Sequence, residues 1–503
     1  MPRLFIFHKE VDAVVKKSGG DAYSNFLLRM ALQKYLFIAV IISGNLFAQE
    51  LSLEEAIQIS MNENKEIQSS KYAKESSVYE LKSSYGKLFP QLSLEGKYTQ
   101  IDDPINLDIG SIRTAMIAAD SKVFQTATSA STATTGAFRQ ALENAVPPFQ
   151  MRVQDDHYYN LSATLLQPLF TGGKLSANIA AKKQEVIISE RQDENTKDKV
   201  ISDVVISYFR VQLMKELVVI RGDVVQGLRG HRDRAEKMLK VGILSQANKM
   251  RTDVALAEAV REEYKSQKDL ELSYILLSNA LGSDVKNFKL TTPLFVSEEK
   301  ETLDSYLASS ESENHVLQIL THKQEQLEEK GRAVASAFYP AFAAFAKYEL
   351  YQNDLTLFEP DYALGVVMKF NLFNGASDYN DLQSVRAQKR TLAYYRENIV
   401  ELVKTEIQKN YHDLKTAKEQ LKSLESSRLL AEENLRLNKL SFAQGVATSL
   451  EVIDAELALS KVKIEQSKAM FDYDTSLQTL LRLSGNAKKI VESVSVSVKE
   501  KKL

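Results

Sequence analysis

Leu169-Phe170-Thr171-Gly172 recurs as Leu372-Phe373-Asn374-Gly375, 203 residues further along the chain. Two further pairs of landmarks keep the same separation, Gly242 with Gly445 and Gly282 with Gly485. One spacing that is maintained from the first landmark to the last indicates an internal duplication rather than chance. The chain is therefore predicted to contain two structurally equivalent repeats.

The two copies differ in length. Phe89-Pro90 and Tyr339-Pro340 mark the upstream part of each copy and lie 250 residues apart, so the first copy carries 47 additional residues. These fall within about residues 101–156, where a run rich in Thr, Ser and Ala and the pair Pro147-Pro148 are typical of an exposed loop. A receptor or antigen role and a solvated loop without a specific role both fit this composition.

The positions of the prolines indicate long helices. No proline lies between Pro168 and Pro293, and none follows Pro360. Because proline costs a helix interior about 3 kcal/mol, both intervals are compatible with unbroken helices. Each copy is predicted to contain a leading helix, a very long helix and a shorter helix after a Gly turn: about 52–88, 174–240 and 245–281, then 311–338, 376–441 and 448–483. The longest would reach roughly 100 Å, more than a single globular domain can bury.

The last of these helices has the pattern of a helix that packs along a partner. Leu450, Leu457, Ile464 and Phe471 recur at every seventh position. Residues between them are often Ala, Ser or charged, and such a narrow apolar stripe favours laterally packed helices with one wet face.

Four segments of about ten residues are predicted to be strands: Gln91–Gln100, His157–Gln167, Ala341–Tyr351 and Tyr362–Leu372. This is the length that a tilted strand needs to cross a membrane, although strands of a soluble sheet are an alternative. Four membrane strands cannot close a barrel, because about eight is the observed minimum. If the strands span a membrane, the protein must oligomerise, and three protomers would supply twelve strands.

The early sequence resembles a secretory signal. Lys34 precedes the apolar residues 35–42, and the small residue Ala48 follows at the position of a cleavage site. A buried core helix is the alternative. Because Met30 stands just before this segment, residues 1–29 are interpreted as an upstream extension from a mis-chosen start codon. The predicted divisions are the extension 1–29, the signal 30–48, the first repeat 49–290, a linker 291–310, the second repeat 311–485 and a Lys-rich flexible tail 486–503.

These features together resemble the outer membrane efflux protein family, the TolC-like channels. The resemblance runs from about Leu51 to Gly485 and rests on the Leu-Phe-x-Gly pairs, the aromatic-Pro pairs and the Gly-containing helix turns, each present twice and in order. It implies a mainly α fold with a transmembrane β-barrel: a homotrimer that forms a twelve-strand β-barrel in outer-membrane lipid, continued by a twelve-helix periplasmic α-barrel.

The resemblance also implies a function and partners. Such proteins are passive exit ducts of tripartite efflux or type I secretion systems, and they receive substrate from an inner-membrane transporter through a periplasmic adaptor protein. No catalytic residue, cofactor or metal is implied. The main alternative is a periplasmic coiled-coil adaptor of the same kind of system, and the duplication of strands and helical hairpins favours the duct.

The helix turns hold the candidate functional residues. Glu451 and Asp454 match two acids that, in the family, form a cation-favouring ring at the periplasmic pore entrance, and they share one helix face. Thr448 and Glu451 also have the spacing of a capping box, so a purely structural role is the alternative. The tips themselves are assigned to four residues, Gly242, Gly445, Ser245 and Thr448.

The predicted periplasmic gate departs from the family's pattern. Phe442 and Ala447 stand where the best-known member has a Tyr and an Arg, and Asn248 stands where an acid would pair with that Arg. Those ionic contacts cannot form here. Closure is therefore expected to depend on apolar packing around Phe442, or the resting state is leakier.

Other chemistries find little support in the sequence. The chain has no cysteine, which excludes disulfides and thiol catalysis, and its formal charge of −2 gives no basic field for nucleic acid. Gly172-Gly173-Lys174 lacks the spacing of a phosphate loop, because Pro168 stands where that motif needs Gly. The six histidines are predicted to be surface residues: His8, His157, His231, His315, His322 and His412.

Overall fold

A computed structural model of the protein describes residues 50–147, 150–284, 288–297, 301–353 and 360–500. The predicted signal at 30–48 and the extension at 1–29 lie outside these residues. The chain divides into two compact units. One comprises the chain up to Ser69 with Glu194–Asn314 and Glu401–Leu503, and the other comprises Ser70–Asp193 and His315–Val400.

The first repeat contains these elements: β1 (Glu50–Leu51), α1 (Leu53–Glu63), α2 (Lys65–Gly86), β2 (Gln91–Gln100), β3 (Ile105–Asp108), α3 (Gly110–Thr128), α4 (Thr132–Ala145), β4 (Gln150–Gln154), β5 (His157–Phe170), α5 (Lys174–Lys240), α6 (Gln246–Leu281) and β6 (Lys289–Leu290). The second contains α7 (Leu303–Glu313), α8 (His315–Ala335), a 3-10 turn (Ser336–Phe338), β7 (Ala341–Asn353), β8 (Tyr362–Lys369), α9 (Ser377–Ala443) and α10 (Ser449–Leu483). A second 3-10 turn (Ala487–Lys489) and α11 (Ile490–Glu500) follow.

The long helices and the four strands agree with the sequence-based prediction. Helices α5 and α9 each contain 67 residues. The paired landmarks also share one backbone conformation: φ is +77° at Gly242 and +76° at Gly445, and it is +73° at Gly282 and +74° at Gly485. A left-handed residue at a helix end is the conformation that glycine adopts without strain. The two repeats therefore match in backbone conformation at these positions as well as in sequence.

Each predicted leading helix is two helices, and an asparagine stands at each break. Asn64 adopts an extended conformation after α1, and Asn314 does the same after α7. The side-chain oxygen of Asn64 accepts a hydrogen bond from the amide of Glu66 at 2.8 Å, which caps the start of α2. The single helices predicted at 52–88 and 311–338 are wrong at these points.

The four predicted strands form one antiparallel sheet in the order β2-β5-β7-β8. Leu92 pairs with Leu165, Leu165 with Ala346, and Ala346 with Leu364, so these four side chains lie on one face. The register places β5 of the first repeat beside β7 of the second. Strands β2 and β8 are the edges of the sheet.

The segment predicted as a loop at about 101–156 contains regular structure. Strands β3 and β4 form an antiparallel ribbon, and α3 and α4 follow one another between them. The rings of Phe124 and Phe138 stack with centroids 4.0 Å apart, and the Nε of Arg113 donates to the carbonyl of Val146 at 2.9 Å. The prediction of a plain loop is therefore wrong for this segment, although most of its side chains are exposed.

The unit that contains Glu194–Asn314 has the main apolar core of the protein. Tyr208 is fully buried there, and its hydroxyl donates to the carbonyl of Leu51 at 2.7 Å. The same oxygen accepts from the amides of Thr291 at 3.1 Å and Thr292 at 2.9 Å. This single side chain thereby joins α5 to the short parallel pair β1–β6.

The end of the described chain packs against this core. Ile490 and Val494 of α11 are buried in the same cluster as Leu481. The prediction of a flexible tail from residue 486 is therefore wrong for this segment, because a helix forms and buries apolar side chains.

Within the described residues, no helix is both long enough and apolar enough to cross a membrane.

Candidate functional site at the helix turns

The two helix turns have the same backbone geometry. In the first, the amide of Ile243 donates to the carbonyl of Met238 at 2.9 Å, and in the second Val446 donates to Ser441 at 2.9 Å. Each bond spans five residues and closes the helix end around the left-handed glycine. The turns present Ile243 and Val446 to the surface. Gly242 and Gly445 therefore lie at the turns that join the paired helices.

The two turns differ in how the following helix is capped. Ser245 accepts a hydrogen bond from the amide of Asn248 at 3.4 Å and starts α6. Thr448 starts α10 with a complete capping box: its hydroxyl accepts from the amide of Glu451 at 3.3 Å, and the Glu451 carboxylate accepts from the Thr448 amide at 2.6 Å. Glu451 therefore has the capping role that the sequence offered as the alternative.

Glu451 and Asp454 occupy the exposed face of the first turns of α10. The intervening residues Val452 and Ile453 are buried on the opposite side. In the described part of the chain, no cation forms an ion pair with Asp454. The two carboxylates are thus one helical step apart and accessible to solvent, an arrangement that is compatible with capping and with a role at a pore entrance.

The predicted gate residues belong to one small apolar cluster or lie beside it. Phe442 is 1% exposed and packs with Ala235 and Val452, and Ala447 is half-buried against the same group. Asn248 is half-buried at the start of α6. Phe442 is therefore an internal packing residue in this structure and not an exposed tip residue.

His231 contradicts the prediction that the histidines are surface residues. It is 3% exposed, and its ring lies 4.5 Å from the ring of Phe442, measured between centroids. Its Nε2 is 2.7 Å from the hydroxyl of Ser449, the first residue of α10. The sequence did contain a signal, because Val224, Leu228, His231 and Ala235 form one stripe of α5 at steps of four, three and four residues.

The surroundings of His231 disfavour its charged form. Burial is the largest effect, and the nearby cations Arg234 and Lys439 add to it, so that the pKa of His231 is lowered to about 4. Lys439 itself pairs with Glu456 of α10 at 2.7 Å. His231 is therefore neutral near pH 7.

Helices α5 and α10 come close together beside this cluster. A β-carbon added at Gly227 would lie 2.6 Å from the carboxylate oxygen of Glu456. A side chain at this position would displace the Glu456 carboxylate from its place beside Gly227. The first and second repeats are thus in direct contact just behind the turns.

One group of side chains elsewhere has the composition of a cation site. Among the described residues, Asp155, Asp156 and His157 each bring one ligand atom within 4.8 Å of the others. His157 is bonded to Asp156 at 2.7 Å through its Nδ1. His157 is exposed and the two aspartates are half-buried. Acidic clusters of this kind are common without an ion, so no metal role is assigned to the group.

A sequence model of the outer membrane efflux protein family matches residues 307–486. The chain carries an outer membrane efflux protein domain. This domain spans the second repeat from within α7 to the residues after α10, and it includes Phe442, Thr448, Glu451 and Asp454. No curated protein sequence matches the chain.

Several solved structures resemble this chain over both of its repeats. The outer membrane protein VceC from Vibrio cholerae has a TM-score of 0.67 at 13% identity, over 86% of this chain and 96% of its own. The CmeC outer membrane channel of Campylobacter jejuni has a TM-score of 0.67 at 13% identity, over 89% of both chains. The open MtrE outer membrane channel of Neisseria gonorrhoeae has a TM-score of 0.66 at 13% identity, over 88% and 93%. The chain therefore shares the fold of these proteins across most of its length.

Proposed function

We propose that the protein is an outer-membrane exit duct of a tripartite efflux or type I secretion system. In this proposal three copies form a twelve-strand β-barrel in outer-membrane lipid, continued by a twelve-helix periplasmic α-barrel. The duct conducts substrate passively, without a catalytic residue or cofactor. An inner-membrane transporter and a periplasmic adaptor supply the substrate.

The observation that carries this proposal is the apolar face of the four-stranded sheet. Leu92, Leu94, Leu364, Val366 and Met368 alternate along β2 and β8, and all are exposed, Leu92 by 75% and Leu364 by 72%. A continuous exposed apolar face is not stable in water, and lipid is the environment that would cover it. The alternative function, a water-soluble periplasmic adaptor, does not explain an exposed apolar face.

Along β2 and β5, the opposite face of the sheet has the polarity of a water-filled lumen. Ser93 pairs with Thr164, Glu95 with Ser162, and Lys97 with Asn160, so polar side chains lie opposite polar side chains along β2 and β5. Alternation of apolar and polar residues with a period of two is the pattern of a membrane barrel whose inside is wet.

The edges of the sheet support an assembly of several copies. Strands β2 and β8 are unpaired on their outer sides within the described residues. An unpaired edge in lipid leaves backbone amides and carbonyls without partners, which costs several kcal/mol for each group. Pairing β8 of one copy with β2 of the next removes these edges, and three copies would give twelve strands.

The acidic face of α10 supports the proposed pore entrance. Three copies would bring three pairs of Glu451 and Asp454 around one axis and concentrate a negative potential there. In this proposal Glu451 serves both as cap and as part of the ring, because capping leaves its carboxylate on the exposed side of α10.

The first test is the state of the protein in its own membranes. We expect it in outer-membrane fractions, and we expect the detergent-extracted protein to have the mass of a trimer by light scattering and threefold symmetry by electron microscopy. In planar bilayers it should conduct ions. A water-soluble monomer that does not conduct would contradict the proposal and favour the adaptor.

A matched pair of variants tests which face of the sheet meets lipid. Leu364→Arg places a charge on the apolar face, and Ala363→Arg places the same charge on the opposite face, where Ala363 pairs with Lys347. A charge facing lipid near the bilayer centre costs about 2–4 kcal/mol. Leu364→Arg should therefore reduce membrane insertion strongly and Ala363→Arg only slightly. Equal insertion of the two variants would show that neither face contacts lipid.

A further inference from the structure

A chain of hydrogen bonds crosses between the two repeats just behind the helix turns. Nε2 of His231 on α5 meets the hydroxyl of Ser449 on α10 at 2.7 Å. The hydroxyl of Ser449 lies 2.9 Å from that of Thr252 on α6, and Thr252 donates to the backbone carbonyl of Asn248 at 3.1 Å. The chain thus passes from the first repeat to the second and back again.

The direction of the chain follows from its last bond. Because Thr252 donates its proton to the carbonyl of Asn248, its oxygen is left to accept from Ser449. The oxygen of Ser449 in turn accepts from His231, which must therefore carry a proton on Nε2. Histidine, serine and threonine are all buried here, at 3%, 1% and 0% exposure. All three groups have a partner, so this arrangement avoids the cost of a buried polar group without a hydrogen bond.

We propose that His231 is a pH-sensitive latch that holds the start of α10 against the first repeat and releases it when the imidazole is protonated. The latch itself is a property of the fold. Its effect on conductance rests on the proposed function, because the released segment carries Phe442's packing partner Val452 and the acids Glu451 and Asp454.

Protonation of His231 adds a proton at Nδ1 and leaves the Nε2–H bond to Ser449 in place, so release comes from the cost of burying the charge. Among the described groups, Arg234 lies on its own helix α5, and Lys439 approaches from α9. Helix α10 contributes Ser449 and Glu456, and the Glu456 carboxylate is already paired with Lys439. Helix α6 contributes the uncharged Thr252, which is bonded to Ser449. An imidazolium would thus be buried near two cations, and the Glu456 carboxylate on α10 is paired with Lys439.

The sign of the pH effect follows from linkage. The pKa of His231 is about 4 in the closed turn, against an ordinary value of 6.5 once the side chain reaches water. The open form therefore binds more protons between these values, so acid favours opening. Between pH 7.5 and pH 5.0 the opening equilibrium should rise about 30-fold.

The absence of cysteine from the chain allows a direct test of opening. Val452→Cys introduces one thiol at a position that is 1% exposed and packed against Phe442. In the detergent-extracted full chain, the rate at which a neutral maleimide labels this thiol measures how often the cluster opens. The comparison is made with His231→Gln in the same background, because glutamine can still donate to Ser449 but cannot take up a proton.

The parent is the Val452→Cys variant with His231 intact. We divide its labelling rate by that of the same variant with His231→Gln at the same pH, and we expect this ratio to rise about 30-fold from pH 7.5 to pH 5.0. Dividing the two rates cancels the effect of pH on the thiol itself. Val446→Cys, on the exposed turn, should show a ratio near one at both pH values. An equal pH response in the parent and in His231→Gln would overturn the latch.

A second variant keeps the test decisive if His231→Gln does not fold. Ser449→Ala removes the acceptor but leaves His231 able to take up a proton, so it should raise labelling at pH 7.5 and keep the further rise at pH 5.0. Labelling at pH 7.5 equal to that without the Ser449 change, or loss of the pH response, would contradict the proposal. Bilayer conductance separates the latch from the proposed duct. The expected labelling rates without any conductance would support the latch and refute the duct. Conductance together with equal pH responses of labelling with and without His231→Gln would support the duct and refute the latch.

Discussion

The side-chain amide of Asn64 donates a hydrogen bond to the backbone carbonyl of Ala280 at 2.8 Å. In the second repeat Asn314 makes the same bond to Leu483, also at 2.8 Å. The asparagines lie 250 residues apart and the carbonyls 203, the two separations of the sequence landmarks. Each break in a leading helix is thus fixed by the last turn of the helix that ends its own repeat.

Replacing either asparagine should destabilise the unit that contains it. Asn64→Ala leaves the carbonyl of Ala280 without this donor and removes the cap of α2, so a loss of about 1–3 kcal/mol in the free energy of unfolding is expected. Denaturant unfolding followed by circular dichroism measures it. Asn62→Ala, an exposed site two residues away, is the control and should change little. Equal losses in both variants would rule out the Asn64 bond as the cause.

Truncation of Phe442 should loosen the turns. The side chain is buried against Ala235, Val452 and His231, and a Phe→Ala change in such a site costs about 3–5 kcal/mol. We therefore expect a higher leak conductance in planar bilayers for Phe442→Ala. Leu440→Ala, at an exposed position two residues earlier, should leave the leak unchanged. An unchanged leak in Phe442→Ala would remove this residue from the gate.

Neutralising Glu451 and Asp454 of α10 distinguishes their proposed role at the pore entrance from the capping role of Glu451. Glutamine can also complete a capping box, so Glu451→Gln should keep the stability of α10 while it lowers the preference of the pore for cations. Asp454→Asn should lower that preference without any effect on the cap. Reversal potentials in a KCl gradient measure both. If Asp454→Asn alone changes selectivity, Glu451 acts only as a cap.

Tyr208 should make the stability of its unit sensitive to alkaline pH. Burial raises the pKa of this phenol above its ordinary value of 10, because the charged form would lose its water. The unfolded chain then ionises first, so this contribution to stability is lost as pH rises above 10. Tyr208→Phe should be less stable at pH 8 but should show a smaller further loss at pH 11. Tyr264→Phe, at an exposed site, is the matched control. The same decline between pH 8 and pH 11 in Tyr208→Phe and the parent would exclude Tyr208 as its source.

Local signals in the sequence were enough to predict the long helices and the strands. Helix α5 lies at 174–240 as predicted, because proline is absent from this interval and Gly242 follows it. Strand β2 also has its predicted bounds, since a proline precedes it and its residues alternate in polarity. In both cases, the boundary depends on residues close to it in the chain.

Features that depend on distant residues were missed. The breaks at Asn64 and Asn314 need carbonyls more than a hundred residues away, and no local pattern announces them. The burial of His231 needs Phe442 and Ser449 of the other repeat, although its place in an apolar stripe was visible. The Thr and Ser content of α3 and α4 predicts a loop rather than helices. The stacked rings of Phe124 and Phe138, which lie on different helices, stabilise their pairing.

The exposed apolar face of the sheet also constrains how a newly made copy can survive. Until the apolar side chains around Leu92 and Leu364 are covered, the sheet exposes an apolar face and two unpaired edge strands. This combination promotes aggregation. If the face is covered by assembly, as proposed, copies produced faster than they assemble are expected to aggregate. The yield of the proposed duct would then depend on how soon each copy meets its partners, and not only on the stability of the finished assembly.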